Sequence, residues 1–201
     1  MKKVVAFLEK SVVFENSALG LMLGLCPLLA VSKSMSDGIL FGVCSVFVLV
    51  SSGVIISLIT KLIPGKIKTA ACMVTVAFFV AVAELLLHAF LPDVFDSLGI
   101  YLPLLTVSGI AFKNAETAEK SLVGTAALTG LAMGTGYFAL LVVMSFIREL
   151  FGNGTLFGMR IFSEDYAALV LLSPAGALLL FGFILALFKK LISHLKEKEE
   201  N

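Results

Sequence analysis

From Gly38 to Thr60, from Ser121 to Ile147 and from Tyr166 to Phe188 the chain carries no Asp, Glu, Lys or Arg. Each run exceeds the roughly 18 apolar residues that mark a spanning helix. Hydrocarbon offers the backbone no hydrogen-bond partners, so each run must close its own. Strands of a membrane barrel would be about 10 residues long with alternating polarity, and these runs are longer and unbroken. Charged residues make up 14% of the chain, hydrophobic residues 59%, and mean hydropathy is +1.07. A soluble domain carries about 25% charge. The chain reads as an all-α integral membrane protein with almost no soluble mass.

Six segments follow from this pattern: about Phe14–Ser32, Ile39–Ile63, Thr69–Pro92, Ser97–Phe112, Ser121–Ile147 and Tyr166–Phe188. The first and fourth are short. Sixteen residues of helix span about 24 Å, against a hydrocarbon core of about 30 Å. Both also hold one copy of a near-repeat. Pro27-Leu28-Leu29-Ala30-Val31-Ser32 recurs as Pro103-Leu104-Leu105-Thr106-Val107-Ser108, an offset of 76 residues. Each copy follows a Leu-Gly-aliphatic step, Leu23-Gly24-Leu25 or Leu98-Gly99-Ile100. Proline interrupts regular helix, so both segments are expected to be discontinuous. Paired Gly/Pro-interrupted segments in two halves are a pointer to a centre at the membrane midplane. Gly20/Gly24, Gly38/Gly42 and Gly130/Gly134 are GxxxG pairs, which let helix backbones approach closely.

Positive charge sets the orientation. Of 15 Lys and Arg, all but Lys33, Arg148 and Arg160 fall on one side, with the N-terminus, the second-to-third and fourth-to-fifth loops and the tail. Both termini are therefore expected in the cytoplasm. Three segments per copy is an odd number, so the second copy inserts upside down. The expected architecture is six transmembrane helices as two inverted three-helix repeats, residues 14–92 and 93–190. Residues 1–13 form a cytoplasmic lead-in and 191–201 a charged, frayed cytoplasmic tail. Met1-Lys2-Lys3 resembles a signal n-region, but Glu9, Lys10, Glu15 and Asn16 interrupt the apolar stretch, so no cleavable signal is expected.

Net charge is +1, so nucleic-acid binding has no electrostatic support. No Gly-rich dinucleotide or phosphate loop, Ser/His/Asp set or zinc spacing is present, and no flavin or nucleotide is expected on this chain. Cys26, Cys44 and Cys72 make no CxxC pair. Glu84 and His88 lie within the third segment at i and i+4, on one face. Intramembrane ionisable groups are functional candidates, and two readings stand: an ion pathway, or a pair at the outer interface. Asn16 is read as a helix cap, Asn153-Gly154 as a tight turn, and Lys113, Glu116 and Glu119 as solvated charges at the cytoplasmic end of the fourth segment.

Several of these residues resemble a known family. Leu23-Gly24-Leu25-Cys26-Pro27 followed by Leu29-Ala30-Val31 resembles the first helix of the paired membrane subunits of the Rnf and Na⁺-pumping NADH:quinone reductase (Nqr) complexes. Ser97-Leu98-Gly99-Ile100 with Pro103-Leu104 resembles the start of their fourth helix. Arg148-Glu149 followed by Gly152-Asn153-Gly154-Thr155-Leu156-Phe157-Gly158 resembles the signature after the fifth helix in the Rnf E and Nqr D subunits, and Pro174-Ala175-Gly176-Ala177 their sixth helix. Asn16 and Ala115-Glu116 also match. The resemblance covers about residues 16–190.

The resemblance implies a membrane subunit of a redox-driven Na⁺ or H⁺ translocase in a bacterial cytoplasmic membrane. Its partner would be a homologous inverted subunit, of the A type in Rnf or the E type in Nqr, beside the remaining subunits. Each of the pair would bring cysteines from two broken helices to one intramembrane [2Fe-2S] cluster. Cys26 occupies the first such position as cofactor-binding and metal ligand; the second reads Gly109, where the family cysteine is absent. A four-thiolate site needs four sulfurs. Cys26 therefore stands as ligand or as packed thiol, and Ser108 as an oxygen-donor substitute. Gly24, Pro27, Pro103, Ser108 and Gly109 are expected to shape the midplane crossing. Two other classes stay open: a stand-alone inverted-repeat secondary transporter, and a scaffold paralogue without the cluster.

Overall fold

The structure, a computed structural model, describes residues 24–60, 63, 67–90, 92, 95, 98–156, 159–160 and 169–199, with backbone alone for 155–156, 159–160, 169, 172, 188–189 and 191–199. The expectations for the lead-in, Asn16, Gly20, Lys61 and Lys66 lie outside these residues.

In chain order the helices are α1 (Leu25–Val31), α2 (Met35–Ile59), α3 (Lys68–Phe90), α4 (Leu102–Val107), α5 (Gly109–Glu119), α6 (Val123–Arg148) and α7 (Pro174–Glu199). A π-helical turn, Glu149–Asn153, extends α6. A two-residue antiparallel hairpin follows, pairing Thr155 with Arg160 and Leu156 with Met159. A 3₁₀ turn, Leu169–Leu172, precedes α7. Among the described residues three helices are long and apolar enough to cross a bilayer: Met35–Ile59, Lys68–Phe90 and Val123–Asn153. Pro174–Leu187 is a shorter apolar stretch. Large apolar side chains point outward along all of them, including Val43, Val74, Leu85, Val143 and Leu179, as a lipid-facing surface requires.

The centre of the fold is the α2–α6 pair, and glycine makes it close. A Cβ on Gly38 would collide with the Ser145 hydroxyl, and one on Gly42 with the Phe138 ring. One on Gly130 would stand 2.8 Å from the Leu49 carbonyl oxygen, and one on Gly134 3.0 Å from the Val46 Cα. Both GxxxG pairs therefore lie at one helix crossing, where packing replaces the hydrophobic drive that lipid cannot supply. Val48, Leu49, Ile56, Leu141 and Met144 fill the interior around it.

Four local expectations are corrected. Pro27 and Pro103 do not break helices; each sits in a first turn, where the missing N–H has no intrahelical acceptor to lose. The fourth segment is interrupted at Ser108 instead, and α1 starts behind Gly24. The fourth segment does not end at Phe112, since α5 runs to Glu119. Lys113 and Lys120 stand three and four residues from Glu116, spacings that support a helical turn. The sixth helix starts at Pro174 rather than Tyr166. The Ser173 hydroxyl accepts from Gly176 N–H at 3.2 Å, a serine cap with proline at the first helical position. The backbone expected to fray beyond residue 190 is helical to Glu199.

Candidate functional site

The two copies of the near-repeat fold alike and then diverge. Each gives a short helix ending at its matched serine: α1 at Ser32 and α4 at Ser108. After Ser32 the chain turns at once into α2. After Ser108, whose ψ of 141° is extended, it re-enters helix as α5. The Ser108 hydroxyl donates to the Leu105 carbonyl at 2.6 Å and accepts from Ala111 N–H at 3.4 Å. It joins two half-helices, and local backbone engages it, so it is not a free oxygen donor.

The α1 helix starts behind Gly24, whose φ of +83° is a left-handed conformation that costs an L side chain roughly 1–2 kcal/mol. Space excludes a side chain as well. A Cβ there would stand 3.1 Å from the Tyr137 ring and 3.4 Å from Ile110 Cγ2. Ile110 is the second residue of α5, so the start of α1 and the Ser108 break lie side by side against α6. Tyr137, fully buried, donates its hydroxyl to the Gly24 carbonyl at 3.2 Å. Asn114 of α5 donates to the Leu49 carbonyl of α2 at 2.8 Å. The half-helices are thus pinned to the central pair by buried polar side chains.

At the other end of α1 stand two charged residues that open the family-like run after the fifth segment, and whose partners the sequence does not show. Arg148 is 1% exposed and Glu149 4%. Arg148 Nη1 donates to the Leu29 carbonyl at 2.8 Å and to Ser32 Oγ at 2.6 Å, while Nε donates to the Leu171 carbonyl at 3.1 Å. Glu149 Oε2 accepts from Met35 N–H at 2.6 Å. The cation lies at the C-terminus of α1 and the anion at the N-terminus of α2, each where the helix dipole favours it. A charge pair directly after a long uncharged run is the available sequence signal.

Cys26, in the first turn of α1, is exposed on this chain. Gly109 lines an apolar groove of about 610 Å³ with Met73, Thr106, Val107, Phe112 and Lys113. Cys44 is half-buried in α2. Cys72 is buried at the start of α3, in a small cavity with Glu116 and Glu119. Among the described residues no three His, Cys, Asp or Glu side chains gather as a metal site. Glu84 is half-buried and His88 exposed, the His88 ring meeting Phe95 edge-on at 4.8 Å between centroids. Neither belongs to the Gly24–Tyr137–Ile110 junction.

The donor set does not fit half of a four-thiolate cluster. It offers one exposed thiol at Cys26, a residue without a side chain at Gly109, and a serine whose hydroxyl is already bonded. At the end of α5, hydrogen bonds from Lys120 and Lys113 hold the Glu116 carboxyl below its usual range, and Glu116 in turn raises Lys120. Lys68 pairs with Glu119 at 3.4 Å. Only the half-buried Lys68–Glu119 pair joins α5 to α3, and a single ion pair of this kind ties them weakly.

The sequence has counterparts among known proteins. A family model described as "Rnf-Nqr subunit, membrane protein" matches residues 4–185. The E subunit of a proton-translocating ferredoxin:NAD(+) oxidoreductase complex from Clostridium ljungdahlii is 34% identical over 98% of this chain and 93% of its own length. The E subunit of the Na(+)-translocating ferredoxin:NAD(+) oxidoreductase complex from Acetobacterium woodii is 34% identical over 90% and 93%. The E subunit of an ion-translocating oxidoreductase complex from Haemophilus ducreyi is 39% identical over 90% and 86%. The chain belongs to the Rnf-Nqr family of membrane subunits.

Proposed function

We propose that this chain is the E-type membrane subunit of a redox-driven Na⁺ or H⁺ translocating complex in a bacterial cytoplasmic membrane. One observation carries the reading: similarity to E subunits of such complexes runs through nearly the whole of this chain and of theirs. The chain acts as a subunit without a nucleotide or flavin of its own. Its six segments form two inverted three-helix repeats with both termini in the cytoplasm. It pairs with a homologous inverted subunit, of the A type in Rnf. The left-handed Gly24 and the Ser108 break, side by side, support this arrangement, because irregular backbone at membrane depth is tolerated only against protein or water.

Affinity purification of the tagged chain from its native membrane tests the reading. The inverted homologue and further redox subunits co-purify if it holds. A chain that purifies alone and transports an ion unaided in liposomes supports the stand-alone transporter instead.

Gly109 favours a second reading of the cofactor. With one thiol here, a [2Fe-2S] centre at the crossing would need the partner to supply its other sulfurs. The residues favour a core in which this chain does not ligate iron, and no step is assigned to such a centre. Iron and sulfide analysis of the purified complex, with and without Cys26→Ser, decides between the two.

A further inference from the structure

Of the three buried polar side chains along α6, Ser145 lies against Gly38 of α2, and the other two are Tyr137 and Arg148. They are eleven residues apart, about three turns at 3.6 residues per turn, so they project from one face of the helix. Both reach the same target. Tyr137 holds the N-terminal end of α1 through the Gly24 carbonyl at 3.2 Å. Arg148 holds its C-terminal end through the Leu29 carbonyl and Ser32 Oγ, at 2.8 and 2.6 Å. A seven-residue helix is too short to keep its own position by backbone bonding alone. Its neighbours therefore decide where it sits.

We infer that Tyr137 and Arg148 form a two-point clamp that sets the position of half-helix α1 in the assembled complex, and that ion coupling requires that position. Both are positioning residues; they act through α1. Arg148 also reaches the Leu171 carbonyl at 3.1 Å, so the same guanidinium registers α1 against the entry to α7. A lysine has one nitrogen and cannot make the Nε and Nη1 contacts together. The inference rests on the reading above, that the chain serves a redox-driven ion translocase.

The test uses the whole complex in native membrane vesicles, with Cys44→Ala and Cys72→Ala as background so that Cys26 is the chain's one thiol. Three quantities are read: complex abundance, the rate at which a membrane-permeant maleimide labels Cys26, and redox-driven ion uptake per assembled complex. Tyr137→Phe removes one hydrogen bond and keeps the ring. It should raise the labelling rate about fivefold, the factor expected from losing one bond, and lower ion uptake per complex, at wild-type abundance. Arg148→Lys should do the same by a larger factor. An unchanged labelling rate, or unchanged uptake per complex, in Tyr137→Phe overturns the clamp. Arg148→Gln tests abundance: if it lowers only the amount of complex, with labelling and uptake per complex as in wild type, the arginine serves stability alone and the clamp is again overturned. A strain lacking the chain separates this outcome from failure of the functional reading, since uptake that persists there contradicts the reading itself.

Discussion

Arg148 and Glu149 are consecutive in sequence yet terminate two different helices. The arginine donates to the Leu29 carbonyl at the end of α1, and the glutamate accepts from Met35 N–H at the start of α2. Between those ends lies only the turn 32–34. One dipeptide at the end of α6 thus fixes the hairpin between the first two segments, with each charge at the pole of the helix dipole that stabilises it.

Removing the anion should loosen that turn. Glu149→Gln keeps an acceptor for Met35 N–H but loses its charge, and should cost about 1 kcal/mol. Glu149→Ala removes the acceptor of the part-buried Met35 N–H and should cost about 1–2 kcal/mol. Thermal unfolding in detergent, followed for both variants, should rank wild type above Gln and Gln above Ala.

Gly24 has two independent reasons to be glycine, its φ of +83° and the Tyr137 ring 3.1 Å from any added Cβ. Gly24→Ala should lower stability by about 1–2 kcal/mol from backbone conformation alone, plus the displacement of Tyr137. The phenylalanine variant at 137 cannot relieve the clash, because the ring remains. A double-variant cycle in the same unfolding assay should show no rescue.

The α2–α6 crossing predicts a sharp contrast between two glycines of one helix. A Cβ on Gly130 meets the Leu49 carbonyl at 2.8 Å, whereas one on Gly124 meets nothing within 4 Å. Gly130→Ala forces two backbones apart and should cost about 1–3 kcal/mol. Gly124→Ala should be neutral or stabilising by up to about 1 kcal/mol. Equal effects in thermal unfolding would remove glycine packing as the basis of this crossing.

Cys26→Ser should leave the iron and sulfide content of the purified complex unchanged, because Gly109 leaves this chain without the second thiolate of a half-site. A stoichiometric loss of iron on that substitution would restore Cys26 as a ligand.

The membrane class and the principal spans are legible in sequence because charge-free runs admit few other folds. The interruption of the fourth segment is legible too, but its position at Ser108 is not. Proline breaks a helix only in its interior, and Pro27 and Pro103 occupy first turns. The full length of α5 is hidden when charge is taken as the edge of an apolar segment, although Lys113, Glu116 and Lys120 have helical spacing. Arg148 looks like a loop cation because its partners come from residues 119 and 116 positions away, and no local pattern encodes them. Glu84 and His88 do share a helix, yet the junction of the α1 start with the Ser108 break is built instead from Gly24, Ile110 and Tyr137.

Redox-driven Na⁺ or H⁺ uptake into inverted membrane vesicles, compared between the native strain and one lacking this chain, is the most direct test of its place in the translocating core. The predicted result is loss of uptake in the deletion strain and its return when the chain is supplied from a plasmid. Full uptake without the chain would contradict that place.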